Sequence, residues 1–242
     1  MHEEIWITKL FNDHLAGLGN GALNLVGWPS VPRPWTNYVA MELLVAALIM
    51  LVFAMLKSRL SADRPGKMQQ TFELIYEFVD SQGKEQVEQH SDRYFSFFGT
   101  IFIFILFSNL IGVIPTMESP TMYPSVPLGC AAAVFLYYNY VGIREVGIWS
   151  YLKHFAGPLW WLAPLMIPIE IISHCARPMS LTIRLFANMY AGEQITMVFL
   201  GLTFFGVPAV FMGLHVFVSL IQAYVFMVLT MLYVGAATAH EH

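Results

Sequence analysis

One arginine stands inside a run of residues that is otherwise apolar enough to lie in lipid. The stretch from Ser180 to Glu193 reads SLTIRLFANMYAGE, and its only cation is Arg184. A guanidinium at the centre of a membrane costs about 3 kcal/mol on insertion scales, so charges at that depth commonly mark ion pathways. Because arginine does not lose its proton in proteins, Arg184 can act there only as a fixed positive charge.

Other polar residues near Arg184 repeat at helical spacing. On a helix that advances about 100° per residue, one narrow sector collects six of them. A second stripe follows later in the chain, where three polar residues are separated by four and three positions. The first stripe consists of Glu170, Ser173, Arg177, Ser180, Arg184 and Asn188, and the second of His215, Ser219 and Gln222.

Glu193 comes nine residues after Arg184 and therefore points to the opposite side of the same helix. If the two striped helices form an antiparallel hairpin that turns near Gly206 and Pro208, Glu193 and His215 lie at similar depth. A carboxylate and an imidazole that share a water-filled pocket can exchange protons near neutral pH. The pattern therefore predicts a proton site at this level.

Each of these residues also has a purely structural interpretation. Arg184 can be a charge that pairs with a carboxylate of its own chain and holds a bundle together. Asn188 and Gln222 can form an ordinary interhelical hydrogen bond, worth about 0.6 to 2 kcal/mol. His215 alone is more typical of satisfied packing than of a relay, and Glu193 can stay neutral in lipid.

The composition indicates a membrane protein with several spans. The chain has 242 residues, of which 57% are hydrophobic and 12% are charged, against about 25% charged residues in typical soluble domains. Its net charge of −4 is spread over the loops, which leaves no basic patch of the kind that nucleic acid requires. We therefore expect an all-α polytopic membrane protein that does not bind nucleic acid.

Runs of about 20 apolar residues place about five crossings in a single integral-membrane domain. Its final part begins with a proline-rich re-entrant segment at 158–172 and continues as two long helices, at about 167–205 and 208–237. Since both helices exceed a hydrocarbon core of about 30 Å, we expect a tilted membrane hairpin with a kink at Pro178. The predicted order is an outer segment (1–37), a first span (38–56), a cytoplasmic loop (57–94), a hairpin of two spans (95–143) and the C-terminal region (144–242).

The loop at 57–94 determines the predicted orientation. It holds six of the 12 Lys and Arg residues, whereas the loop at 115–125 holds none. By the positive-inside rule the basic loop and the C-terminus are cytoplasmic and the N-terminus lies outside. Apolar residues recur at helical spacing within the loop and predict an amphipathic helix on the inner membrane surface; they are Met68, Phe72, Ile75 and Val79.

Four stretches of the chain resemble one family. They are RPMSLTIRLFANMYAGE (177–193), SLIQAYVFMVLTMLYV (219–234), NLIGVIPTMESPT around Asn109 and FLYYNYVGI before Arg144. All four are similar to subunit a of the F-type ATP synthase, the membrane stator beside the rotating c-ring. The resemblance covers nearly the whole chain after about Tyr38. Ala187 departs from it, since glycine is frequent there, and we expect this to alter packing against the ring only slightly.

The resemblance implies proton translocation through two offset half-channels, with no catalysis, cofactor or metal ion in this subunit. Ring carboxylates take a proton from one half-channel and release it into the other, and Arg184 matches the essential arginine between them. The implied partners are an oligomeric c-ring, peripheral-stalk b subunits, the lipid bilayer and protons, in a bacterial inner (plasma) membrane. The outer half-channel and the support of the arginine are assigned to Asn188, Glu193, His215, Ser219 and Gln222.

The inner half-channel has a weaker assignment. Glu170, Ser173 and Arg177 are its candidates, and an interfacial ion pair between Glu170 and Arg177 is an equal alternative.

Two other classes of function remain open at this point. A membrane-embedded metalloenzyme is suggested by the acidic and histidine residues of the last two helices, but HExxH is absent and only Glu170 and His174 have ligand spacing. A secondary transporter would explain broken helices and a midplane charge, but no inverted repeat is visible.

Overall fold

A computed structural model describes residues 4–25, 27–61, 65–87, 91–114, 116–148, 163–202 and 206–238. These residues form seven α-helices and one short 3₁₀ helix at Pro120–Met122. The predicted all-helical fold is confirmed. The helices are α1 (Trp6–Leu25), α2 (Asn37–Ser58), α3 (Lys67–Gln86), α4 (Ser91–Ile111), α5 (Ser125–Val146), α6 (Ala163–Leu202) and α7 (Gly206–Thr238).

Four helices of the described ranges are long and apolar enough to cross a membrane. They are Asn37–Ser58, Asp92–Ile111, Ser125–Val146 and Gly206–Thr238. The fifth predicted crossing is α6, which has 40 residues. It is not among these four helices; it packs along α7, and its crossing of the membrane stays a prediction.

The core lies where α4, α5, α6 and α7 meet. In α6, Leu181, Leu185 and Met189 are buried at a spacing of four residues, so one face of the helix is committed to packing. Helices α4 and α5 follow each other in the chain, and the rings of Phe97 and Tyr137 stack at 3.7 Å between their centroids. This core fixes the positions of the polar residues on α6 and α7.

Helices α6 and α7 pair antiparallel over most of their lengths. The rings of Phe199 and Phe211 stack at 4.2 Å near one end, and Asn188 is hydrogen-bonded to Gln222 farther along. At about 1.5 Å per residue the two helices are about 60 and 50 Å long, well beyond a hydrocarbon core of about 30 Å. The predicted pair of long helices is confirmed, and the link at 203–205 lies outside the described residues.

The proline-rich segment before α6 differs in part from its predicted form. Residues 163–172, expected to be re-entrant, are the first turns of α6 and run into it without a break. Pro168 and Pro178 lie inside this helix, where each removes one backbone N–H from the hydrogen-bond ladder. Residues 158–162 lie outside the described ranges, and a kink at Pro178 stays a prediction.

The predicted amphipathic helix is α3, which packs against α4 and α7. Its Val79 and Gly83 are buried, and the hydroxyl of Tyr224 on α7 donates to Gln82 Oε1 at 3.0 Å. A Cβ atom at Gly235 of α7 would lie 2.5 Å from the carbonyl oxygen of Gln86. Glycine therefore allows the end of α3 to approach α7.

Helix α1 was not expected from the sequence. Its Asn12 side chain donates to the Trp35 carbonyl at 3.1 Å and accepts from the Trp35 N–H at 3.0 Å. Ile7 of α1 belongs to a second, smaller core with Met41 and Val45 of α2. The N-terminal segment is thus folded onto the start of α2.

Candidate functional site

Arg184 lies on the surface of α6, beside its buried face. Its side chain is exposed, and among the described residues it takes part in no ion pair or hydrogen bond. On the same face Ser180 and Asn188 are exposed one turn to either side, and farther around the helix Met179 is 60% and Ile183 57% exposed. The interpretation in which Arg184 pairs with a carboxylate of its own chain has no support in this part of the structure.

One turn from Arg184, a hydrogen bond joins α6 to α7. Asn188 Nδ2 donates to Gln222 Oε1 at 2.8 Å, and Gln222 is only 3% exposed. The Nε2 atom of Gln222 is buried and has no hydrogen-bond partner in the described ranges. Ser219, also buried, lies with its Oγ 3.9 Å from the sulfur of Met189. The polar stripe of α7 therefore faces α6.

His215 lines a small pocket between the same two helices. The pocket has a volume of about 200 Å³, and Asn188 and Gly192 also line it. A Cβ atom at Gly192 would lie 3.4 Å from His215 Nδ1, so the imidazole packs on the bare backbone of α6. His215 Nε2 is buried and has no hydrogen-bond partner among the residues described, which leaves it available to a water molecule or a proton donor.

Glu193 is buried on a different side of α6 from Arg184. It is 6% exposed and follows Leu185 and Met189 at the same four-residue spacing. Its carboxylate is close enough to Glu118 and to the backbone of Ser119 to interact with both, and its Oε2 has no hydrogen-bond partner in the described part of the chain. Glu193 is not among the residues that line the pocket of His215, so in the described part of the chain the two predicted partners do not share that pocket.

The loop between α4 and α5 forms the wall that Glu193 meets. Ser119 Oγ donates to the Ser108 carbonyl at 2.8 Å, and Thr121 Oγ1 donates to Asn109 Oδ1 at 2.6 Å. A Cβ atom at Gly112 would lie 2.8 Å from the Ser119 Cβ, so the loop sits tightly on the end of α4. These bonds hold a buried polar layer beside the carboxylate of α6.

Tyr123 and Glu118 extend this polar wall. The phenol of Tyr123 donates to Glu118 Oε2 at 2.5 Å. Burial, together with the neighbouring carboxylate of Glu118, raises the pKa of Tyr123, so the phenol keeps its proton and remains the donor. A second carboxylate with a fixed hydrogen-bond partner thus lies near Glu193.

At the other end of α6, Arg177 is held by aromatic rings. Its guanidinium carbon lies 5.9 Å from the centroid of Tyr138 on α5 and 5.3 Å from that of Tyr233 on α7. Both distances fit cation–π contacts. The alternative in which Arg177 pairs with Glu170 is not seen. Arg177 instead joins three helices at this end of the bundle.

Glu170 contacts His174, one turn along α6, with Oε1 3.5 Å from Nδ1. The ring of His174 also meets that of Tyr138 edge-on, with 5.8 Å between their centroids. Ser173 is half-buried nearby. The metalloenzyme alternative requires a third ligand, and the described residues contain no group of three or more potential metal ligands.

Several of these residues were not singled out from the sequence. The polar loop residues were missed because they precede Glu193 by about 70 positions and have no periodicity of their own. The tyrosines beneath Arg177 looked like ordinary apolar packing. The sequence motifs NLIGVIPTMESPT and FLYYNYVGI, which contain Ser119 and Tyr138, were the available signals.

Comparison with known proteins gives consistent results along the chain. Residues 39–235 match the family described as ATP synthase A chain. The chain is 65% identical over 233 residues to the ATP synthase subunit a of Solibacter usitatus, which covers 96% of this chain and all of the relative. It is 48% identical to that of Koribacter versatilis, with both chains covered fully. The subunit a of Trichlorobacter lovleyi is 41% identical, over 97% of this chain and 95% of its own.

Proposed function

The chain belongs to the ATP synthase A chain family, and from this premise we propose how its residues conduct protons. It is an integral membrane protein, the proton-conducting stator subunit of an F-type ATP synthase, and it is not itself catalytic. The proposal assigns Arg184 as the fixed charge between two offset half-channels. The observation that carries it is the exposed guanidinium of Arg184, which has no partner in the described part of its own chain.

An acidic group from another chain would offset the free-energy cost of this unpaired charge. An isolated cation in an apolar surrounding is expensive, and an opposite charge nearby offsets the cost. The outward-facing surface that carries Arg184, with exposed Met179 and Ile183 beside it, suits contact with a rotor whose carboxylates pass at the same depth. When a protonated ring carboxylate arrives, the guanidinium stabilises its ionised form, and the proton leaves.

The same charge prevents a leak. A proton that tries to pass directly between the half-channels meets the field of Arg184, which does not deprotonate and cannot relay it. Ion flow is therefore tied to movement of the ring. Each charge that crosses 100 mV releases about 2.3 kcal/mol, so several protons must pass for one ATP.

The outer half-channel is assigned to the buried polar residues between α6, α7 and the α4–α5 loop. Glu193 takes protons from the outer side, and His215, whose Nε2 is free in the described ranges, passes them on. Ser219 supports the buried stripe of α7, and the bond between Asn188 and Gln222 holds the two helices together beside Arg184.

The inner half-channel is assigned to the opposite end of α6. Glu170, with His174 beside it, supplies groups that can bind and release protons. Ser173 adds a hydroxyl, and Arg177 shapes this end through its tyrosine contacts.

The assembly and orientation follow from the same proposal. The partners are the c-ring and the peripheral-stalk b subunits, and the membrane is the bacterial inner membrane. The basic loop and the C-terminus face the cytoplasm, and the outer segment with α1 faces the other side.

The proposal is tested by Arg184→Ala in the assembled complex in membrane vesicles. We expect complete loss of ATP-driven acidification, while ATP hydrolysis by the detached soluble part is unchanged. Arg144→Ala is the matched control, because Arg144 is an exposed arginine at the end of α5 and should leave acidification near normal. Unimpaired pumping by Arg184→Ala would refute the assignment.

A further inference from the structure

An apolar groove lies between α2, α3 and α4, away from the proton site. Its volume is about 660 Å³, and its walls come from residues 46–60, 69–79 and 95–104. The rings of Phe53 and Phe72 meet at 5.4 Å on one side, and those of Tyr76 and Phe95 at 4.4 Å on the other. The proposed path of protons uses none of these residues.

Basic residues surround one end of this groove. Lys57 follows Phe53 by four positions and Met50 by seven, so it lies on the groove face of α2. Arg59 is the C-cap residue of α2, and Lys67 begins α3. All three are exposed, and none forms an ion pair in the described ranges.

Two further features at this end of the groove favour the binding of an anionic group. The N-cap residue of α3 is Gly66, which offers no side-chain hydrogen bond, so the first N–H groups of α3 are available to an acceptor. Glu73 is the acid that lines the groove, and its Oε1 already accepts from Gln69 Nε2 at 2.8 Å. Within the described ranges, none of the three cations forms an ion pair with an acidic side chain.

We propose that this groove binds one anionic phospholipid, with an acyl chain between α2 and α4 and the phosphate at Lys57 and Arg59. The stretch of α2 from Ala46 to Ser58 is about 18 Å long, which covers the roughly 15 Å depth of one leaflet's hydrocarbon. The apolar walls and this length suit a lipid chain, and the three exposed cations at the end of the groove suit its phosphate.

The test uses the assembled complex reconstituted in phosphatidylcholine vesicles. The probe is phosphatidylglycerol with a diazirine near the end of one acyl chain, and phosphatidylcholine with the same diazirine is its zwitterionic counterpart. After irradiation, mass spectrometry locates the labelled residues. We expect the anionic probe to label residues 46–60 and 95–104 several times more strongly than the zwitterionic probe.

Two sets of variants separate the charge from the groove. Lys57→Gln and Arg59→Gln should each lower the preference for the anionic probe by up to about fivefold. Gly99→Phe should fill the groove and lower labelling by both probes, because a Cβ atom at Gly99 meets only a ring carbon of Phe95 at 3.9 Å. Gly129→Phe is the matched control, since Gly129 faces open space outside this groove.

Three results would overturn the proposal. Equal labelling by the two probes would show an unspecific lipid contact, and an anionic preference that survives both glutamine variants would remove the role of the cations. Absence of label from the groove in the assembled complex would show that a partner subunit covers it.

Discussion

Replacing Gln222 with leucine should slow proton transport, because it removes the hydrogen bond that joins α7 to the arginine-bearing face of α6. Asn188 and Arg184 are four residues apart and so are neighbours on that face. The bond between Asn188 Nδ2 and Gln222 Oε1 is 2.8 Å long, which is a good geometry for an amide pair. Without it, the turn of α6 that carries Arg184 is less well positioned against α7.

The magnitude follows from the environment of the pair. Interhelical side-chain bonds in membranes average about 0.6 kcal/mol and reach about 1.7 kcal/mol. Gln222 is 3% exposed, so water does not compete for its end of the bond, and the upper part of that range applies. A loss of about 1.4 kcal/mol corresponds to about a tenfold slower rate if the bond is needed when the ring carboxylate meets Arg184.

The assay is a double-mutant cycle on ATP-driven acidification of membrane vesicles. The variants are Gln222→Leu, Asn188→Leu and the double substitution, each compared at equal amounts of assembled complex. If the two side chains act through their mutual bond, the double variant should be no slower than the slower single variant. Gln194→Leu is the control, because it makes the same substitution on α6 at a half-buried glutamine.

Multiplicative effects of the two single substitutions would refute this reasoning. They would show that Asn188 and Gln222 act independently, for example by each lining a water path. If Gln194→Leu also slows acidification, then loss of any amide side chain from α6 slows proton transport. The bond between Asn188 and Gln222 would then have no specific role.

Three further predictions concern other contacts. Glu193→Gln or His215→Ala should slow proton entry without dissociating the complex, as measured by vesicle acidification and blue-native electrophoresis; loss of assembly in both would make them packing residues. Gly235→Ala should destabilise the subunit by about 1 to 3 kcal/mol, because its Cβ would lie 2.5 Å from the backbone oxygen of Gln86; an unchanged thermal stability of the complex would contradict that clash. Arg177→Gln should lose its two aromatic contacts, each worth about 0.5 to 2 kcal/mol. The temperature at which the subunit leaves the complex should therefore fall. If Arg177→Lys lowers that temperature by the same amount, the planar guanidinium is required in addition to its charge.

The helical elements were predictable because lipid imposes strong rules on the chain. A spanning segment must satisfy its own backbone and present apolar side chains, so length and hydropathy locate α2, α4, α5 and α7 with little ambiguity. Helix α1 was not predicted because it packs through Asn12 and a few apolar side chains and has no long hydrophobic run. The start of α6 was misplaced because three prolines in 158–172 and Glu170 suggested an interruption, whereas the helix continues through Pro168.

The polar residues of the site were predictable as stripes, but their partners were not. Spacing alone places Arg184 and Glu193 on opposite sides of α6, and the structure has one exposed and the other buried. Residue spacing does not predict which other helix or loop packs against a given face of α6. Glu193 meets the loop around Ser119, and Arg177 meets two tyrosines from different helices, because tertiary packing brings distant parts of the chain together.

The separation of Glu193 from the pocket of His215 has a consequence for the proton path. Glu193 faces the α4–α5 loop, while Arg184 faces outward on the other side of α6, so a proton that starts at the first must pass around the helix to reach the second. The pocket of about 200 Å³ lies at that passage, since Asn188 and His215 both line it. It exists because Ala191 and Gly192 place so little side-chain volume between the two helices. Small residues at this turn of α6 are therefore as necessary to the proposed path as the groups that carry the proton.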